Sequence, residues 1–165
     1  KEGMQTIAYW MMGSLAGAQW RELAVIAPII VLSIVFFWTQ SRVLNLMLLG
    51  DESAITMGTD LHAYRQWYLL ISSLIVGFAV YSAGMIGFVG LIVPHVIRMF
   101  TGPDHKRLLP VAALVGAIFL VVADGLCRVI IPHTELPIGI LISMIGAPSF
   151  IYLMIKKTYG FGGSD

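Results

Sequence analysis

Residues 50–65, GDESAITMGTDLHAYR, are the longest polar interruption in a chain that is otherwise nearly continuous hydrocarbon. Residues 23–39 (LAVIAPIIVLSIVFFWT) precede them, and residues 67–100 follow with no charged side chain before His95 and Arg98. Such runs must be buried in a protein core or placed in a bilayer. Of the 165 residues 58% are hydrophobic and only 12% charged, about half the charged share of a soluble domain. A water-soluble fold of this length needs more polar residues to cover its surface. The sequence therefore specifies an all-α, polytopic integral membrane protein, and the polar stretch is expected to be a contact surface on one side of the membrane.

Five crossings are predicted. Residues 6–19 (TIAYWMMGSLAGAQ) are apolar but short, and read as an external re-entrant or interfacial helix. Residues 23–39 form the first span, with Pro28 in its first turns. Residues 66–100 would measure about 52 Å as one helix, too long for one crossing. Gly84, Gly87, Gly90 and Pro94 mark the break, which gives spans at 66–83 and 86–100. Residues 101–107 (TGPDHKR) are a polar loop in which Asp104 is a helix N-cap. Spans at 108–131 and 138–155 follow, joined by a turn at 132–137. Residues 1–5 (KEGMQ) read as the interior of something longer, so the sequence is expected to be the C-terminal part of a larger protein.

Five crossings sort the positive charges. Arg42, Arg65, Arg98, Lys106, Arg107, Lys156 and Lys157 fall on one side, and Lys1, Arg21 and Arg128 on the other. The positive-inside rule makes the first side cytoplasmic, with residues 50–65 and the C-terminus. The polar stretch divides into two short helices: Asp51 caps the first, Gly58 ends it in a left-handed conformation, and Thr59 or Asp60 caps the second. Glu52, Ala54 and Gly58 form an E-x-A-x-x-x-G pattern. Docking into a groove on a partner and a solvated connecting loop both remain open from these residues.

The net charge of +1 gives no sign of nucleic acid, and Cys127, the single cysteine, reads as a small buried hydrophobe. Asp124 and Arg128, four residues apart, share one helix face. His95 and Arg98 lie in the last turns before a polar loop, where a histidine stabilises terminal carbonyls more simply than it binds a metal. Small residues on the fourth span (Ala112, Ala113, Gly116, Ala117) and the fifth (Gly139, Gly146, Ala147) predict close helix packing. Neither a nucleophile–base set nor a phosphate-cradling Gly-Lys-Ser loop is present, so ATP hydrolysis by this chain is not expected.

Glu52-x-Ala54-x-x-x-Gly58, the run from Gly87 to Arg98 (GFVGLIVPHVIR), the run from Asp104 to Pro110 (DHKRLLP), Ala123-Asp124, Arg128, the run from Glu135 to Gly139 (ELPIG) and Gly146-Ala147-Pro148 occur in that order. Their order and spacing resemble the C-terminal half of the FecCD-type permeases, the membrane subunits of ATP-binding-cassette importers for iron–siderophore complexes, haem and cobalamin. The opening Tyr9-Trp10-Met11-Met12-Gly13 resembles the cobalamin branch. The resemblance implies a ten-helix type II permease of which this is half. Its partners would be a second permease subunit, most simply an identical one, ATPase subunits that hold ATP and Mg, an extracytoplasmic substrate-binding protein, and lipid of a bacterial inner membrane. No cofactor or metal would belong to this chain.

It further implies that Asp51, Glu52, Ala54, Gly58, Asp60 and His62 belong to coupling helices seated in a cleft of the ATPase. Arg128 would meet a glutamate of the binding protein; the plainer reading is an interfacial arginine tied to Asp124. A pathway for large chelates needs few strong binding points, which makes Met11, Met12, Ser14 and Gly17 candidates for its external mouth. The alternative function is a stand-alone ion-coupled transporter or intramembrane enzyme using Asp124 and His95, which the positions of these residues toward opposite faces disfavour.

Overall fold

The computed structural model describes residues 2–130 and 136–160, and all of its regular structure is helical: α1 (Glu2–Met12), α2 (Trp20–Thr39), α3 (Ser41–Leu48), α4 (Asp51–Thr56), α5 (Leu61–Ala83), α6 (Val89–Thr101), α7 (His105–Ile130) and α8 (Ile138–Gly160). Among the described residues four helices, α2, α5, α7 and α8, are long and apolar enough to cross a bilayer. With the shorter apolar helix α6 they make up the five membrane helices expected, α6 alone being short of a full crossing. The turn at 132–135, with Glu135 of the ELPIG run, lies outside the described residues.

The span expected at 86–100 is only α6, 13 residues or about 20 Å at 1.5 Å per residue. Residues 84–88 ahead of it are not helical. Gly84 closes α5 with φ 73°, and Phe88 starts α6 from a left-handed φ of 64°, a conformation that costs a side-chain-bearing residue about 1–2 kcal/mol. Non-helical backbone at membrane depth must be covered by protein. Glycines permit that cover. A Cβ on Gly84 would meet the carbonyl oxygen of Trp10, one on Gly139 would meet that of Met12, and one on Gly146 would lie 2.6 Å from Cβ of Phe88. The backbone N–H of Ser14 donates to the carbonyl of Ala83 at 2.9 Å.

Three further boundaries differ from expectation. Helix α1 stops at Met12 rather than running to residue 19, because Gly13 turns left-handed (φ 74°) and its N–H closes on the Trp10 carbonyl. Residues 61–65 are not a second short helix but the first turns of α5, since Asp60 starts a helix whose apolar face continues without a stop. Pro28 lies two turns into α2, because that helix begins at Trp20. Its missing N–H falls in a helix interior, as membrane helices tolerate.

Helix α7 is the spine, packed against α2, α3, α6 and α8. One core cluster, Val93, Ile97 and Leu108, joins α6 to the start of α7; a second, Ala123, Cys127, Ile138 and Ile142, joins the end of α7 to α8, with Leu15 and Phe88 against it. The first lies toward the start of α7 and the second toward its end, and Val89 and Phe119 touch both. Elsewhere large apolar side chains face outward, Val121 at 70% and Val129 at 79% exposed on α7 itself, as suits a lipid or protein environment rather than water.

Gly139→Ala is expected to part α1 from α8 and to cost about 1–3 kcal/mol, as overpacking does. Gly125→Ala adds its Cβ to open space and is expected to leave thermal unfolding in detergent micelles unchanged or slightly raised.

Candidate functional site

At the end marked by Leu108, the chain leaves the spans through α3, a helix that the sequence reading did not find. Its residues alternate at the helical period, a signal that was available, and α3 packs against α2, α5 and α7. Gly50 (φ 90°, ψ 165°) then turns the backbone into α4, so Gly50 and not Asp51 is the N-cap, and no side chain caps this helix. Asp51 instead reaches Arg65 on α5, with Oδ1 and Nη2 2.8 Å apart. Both side chains are about half exposed, so the pair contributes about 0–1 kcal/mol.

Helix α4 ends at Thr56, and Gly58 (φ 75°) turns the chain in the expected left-handed conformation. A Cβ on Gly58 would meet nothing within 4 Å, so backbone geometry rather than space favours glycine there. Asp60 caps α5 as expected: its Oδ1 accepts the N–H of His62 at 2.9 Å. The His62 ring lies 3.2 Å from the Gln66 amide nitrogen. Ala54 is fully buried, at 0% exposure. It seats α4 on the protein and offers no surface outward.

The outward side of α4 carries exposed Glu52 and Ile55, the latter 69% exposed, and Met57, just past its end, is 64% exposed. Sequence reasoning passed over both apolar residues, although two large hydrophobes inside a polar stretch were a visible signal. Together with the neighbouring charges they leave an amphipathic face uncovered by the rest of the chain. The arrangement is a short, seated helix presenting an amphipathic face, with no group set for covalent chemistry.

Beside α3, residues 102–107 fold back onto the same end. Asn45 Nδ2 donates to Asp104 Oδ1 at 2.8 Å, and Asn45 Oδ1 accepts the backbone N–H of His105 at 2.9 Å. Asp104 caps α7, its Oδ1 accepting the Lys106 N–H at 3.0 Å, while Trp38 Nε1 donates to the Lys106 carbonyl at 3.0 Å. The hydrogen bond from Asn45, then that from the Lys106 N–H, hold the Asp104 carboxyl below its ordinary 3.8 against a partial desolvation, and the Arg107 and Lys106 charges add to the effect. Because the folded-state value is lowered, its stabilisation is present above pH 3.8 and is lost as pH falls through the lowered value.

At the opposite end, Arg128 Nε donates to Asp124 Oδ2 at 2.8 Å, and the arginine side chain remains 62% exposed. The pair forms on one helix face, as the four-residue spacing requires. Met11 and Met12 line a cavity of about 490 Å³ with Met85, Gly139, Ser143 and Met144. Ser14 and Gly17 are not in that lining: the Ser14 hydroxyl accepts the Ala16 N–H at 3.2 Å, and Gly17 faces open space. Met85 and Met144 were invisible to sequence reasoning, since only the unwound segment and α8 bring them beside α1.

The FecCD transport family model matches residues 1–156. The chain is 44% identical over 146 residues to the cobalamin import system permease protein BtuC of Halobacterium salinarum, covering 88% of this chain and 39% of that protein. It is 42% identical over 154 residues to the hemin transport system permease protein HmuU of Yersinia pestis (93% and 46%), and 43% identical over 147 residues to the Fe(3+) dicitrate transport system permease protein FecD of Escherichia coli (89% and 46%). The chain thus spans less than half the length of these relatives. A metal-chelate type ABC transporter solved in an inward-facing conformation superposes with a TM-score of 0.87 at 35% identity, over 94% of this chain and 50% of that one.

Asp60→Ala is expected to cost about 1 kcal/mol through loss of the cap, and Gly58→Ala about 1–2 kcal/mol through its left-handed backbone. Hydrogen exchange across residues 51–62 checks both: each variant should speed exchange there and leave the α7–α8 core protected.

Proposed function

The chain belongs to the FecCD transport family, and on that premise we propose that it forms the C-terminal half of a permease subunit that imports a bulky metal chelate across a bacterial cytoplasmic membrane, powered by separate ATPase subunits. The observation that carries this reading is α4: a six-residue helix outside the long spans, held by buried Ala54, with exposed Ile55, Met57 and Glu52 turned outward. In this reading Ile55 and Met57 enter a cleft of the ATPase, which holds ATP and Mg, and Glu52, Gly58 and His62 lie at the rim. Asp51 and Asp60 act indirectly, through Arg65 and through the α5 cap.

The charge distribution supports a cytoplasmic position for α4 and for the C-terminus. Arg128 then lies at the external end, where its exposed guanidinium suits a carboxylate of an extracytoplasmic binding protein; Asp124 orients it. The methionine-lined cavity of Met11, Met12, Met85 and Met144 suits the mouth of the pathway. Polarizable, adaptable side chains cover a large cargo without gripping it. A second permease subunit would complete the pathway. The relatives named above carry cobalamin, hemin and iron dicitrate, and the shared cargo class is a metal held in a large organic chelate.

The test uses the full-length permease co-expressed with its ATPase and binding protein. Ile55→Asp with Met57→Asp should lower the co-purified ATPase at least tenfold. Arg128→Glu should leave the ATPase bound and weaken binding-protein capture at least tenfold. ATP-dependent uptake of cobalamin, hemin and ferric citrate into proteoliposomes, compared side by side, identifies the cargo. Undiminished ATPase binding by the Ile55 and Met57 variant would show the docking reading to be wrong.

A further inference from the structure

Helix α4 is too short to pass on a displacement unless something braces it, and two braces are visible. The first is the half-exposed Asp51–Arg65 ion pair to α5, which salt screens and water competes for. The second runs through α3. That helix is joined to α4 by Leu49 and Gly50 and packs against α7, and its Asn45 is partly buried.

The Asn45 amide is used at both ends. It donates to the Asp104 carboxylate and accepts the first N–H of α7, with the His105 ring nitrogen Nδ1 also 2.8 Å from the same oxygen. Trp38, at the end of α2, adds its indole N–H to the next carbonyl. A charged acceptor makes the Asn45–Asp104 bond stronger than a neutral one. We propose that Asn45, with Asp104 and Trp38, is a positioning clamp through which motion of α3 and α4 reaches the N-terminus of α7. The inference rests on the importer reading above and adds a route to it.

Helix α7 suits that role. Its 26 residues extend about 39 Å, from the clamp to Asp124 and Arg128 at the other end. Packed clusters near both ends keep it from turning independently of α6 and α8. A pull at Asp104 therefore arrives at Arg128 as a movement of the whole rod rather than a local rearrangement.

The clamp can be reversed chemically. Asn45→Asp sets a carboxylate against that of Asp104 and removes the donor. Adding Asp104→Asn restores one donor–acceptor bond in the opposite direction and keeps a residue that caps α7 well. Trp38→Phe keeps an aromatic ring and deletes the indole N–H together with part of the ring's bulk.

The measurement uses the full-length permease assembled with its ATPase, its native cysteines replaced, and a nitroxide at Val129→Cys, the exposed far end of α7. Spectra are taken without nucleotide and with ATP plus vanadate. The spectral change should be at least threefold smaller in Asn45→Asp per assembled complex, recover in the Asn45→Asp/Asp104→Asn pair, and fall about twofold in Trp38→Phe. A full change in Asn45→Asp, failure of the pair to recover, or an unaltered Trp38→Phe would overturn the clamp. If the unaltered permease holds no ATPase or shows no nucleotide-driven change, the importer reading itself falls, and the clamp's role with it.

Discussion

The structure depends on how the backbone of residues 84–88 is kept from the bilayer. Gly84 still donates its N–H to Val80 and the Phe88 carbonyl accepts from Ile92, but the backbone between them belongs to no helix, and hydrocarbon offers it no partners. The remedy is close backbone approach. Gly13 and Gly84 meet beneath α1, Gly139 lets α8 come up against the Met12 carbonyl, and Gly146 leaves room for Phe88. The left-handed Phe88 is tolerated because its ring fills the junction of α6, α7 and α8. Remove the glycines and neither the short α6 nor the cavity of Met11, Met85 and Met144 could exist in this form.

That arrangement explains an asymmetry between the two ends. At the end bearing Arg128, contacts are glycine-mediated, backbone to backbone, with an apolar cluster beneath. At the α4 end they are side-chain hydrogen bonds from Asn45 to Asp104 and His105 and from Trp38 to the Lys106 carbonyl, together with the Asp51–Arg65 ion pair. The first kind tolerates sliding, since van der Waals contact is non-directional. The second is directional and breaks when geometry is lost. Under the proposed importer function, that division would suit a permease half that opens at one end and holds its ATPase at the other.

Much of this was legible before the fold. Hydropathy located α2, α5, α7 and α8 to within a few residues, because bilayer thickness dictates their length. Gly58 and Asp60 were legible because turn and cap chemistry is local. The unwound start of α6 and the merging of residues 61–65 into α5 were not, since each is decided by neighbours distant in the chain, whereas α3 carried a helical period that was passed over. Ala54 illustrates the limit well: its place in a pattern with Glu52 and Gly58 suggested a shared partner, whereas burial assigns it to the inside of the contact. Asn45, a lone amide in an apolar helix, acquires meaning only when residues 102–107 fold back onto it.

The shortness of α4 carries the last consequence. Six residues form little more than one turn, and such a helix is unstable by itself in water. Its geometry is lent to it by Ala54 beneath, Arg65 beside it and α3 behind it. A force applied to Ile55 and Met57 therefore cannot be absorbed within α4: it either distorts those attachments or moves what they are attached to. Of these, the path through α3 ends on the partly buried, charge-assisted bonds at the start of α7, and the path through Arg65 ends on an exposed pair. The stiffer path takes the load, so in the proposed clamp α7 rather than α5 carries motion from α4 toward Arg128.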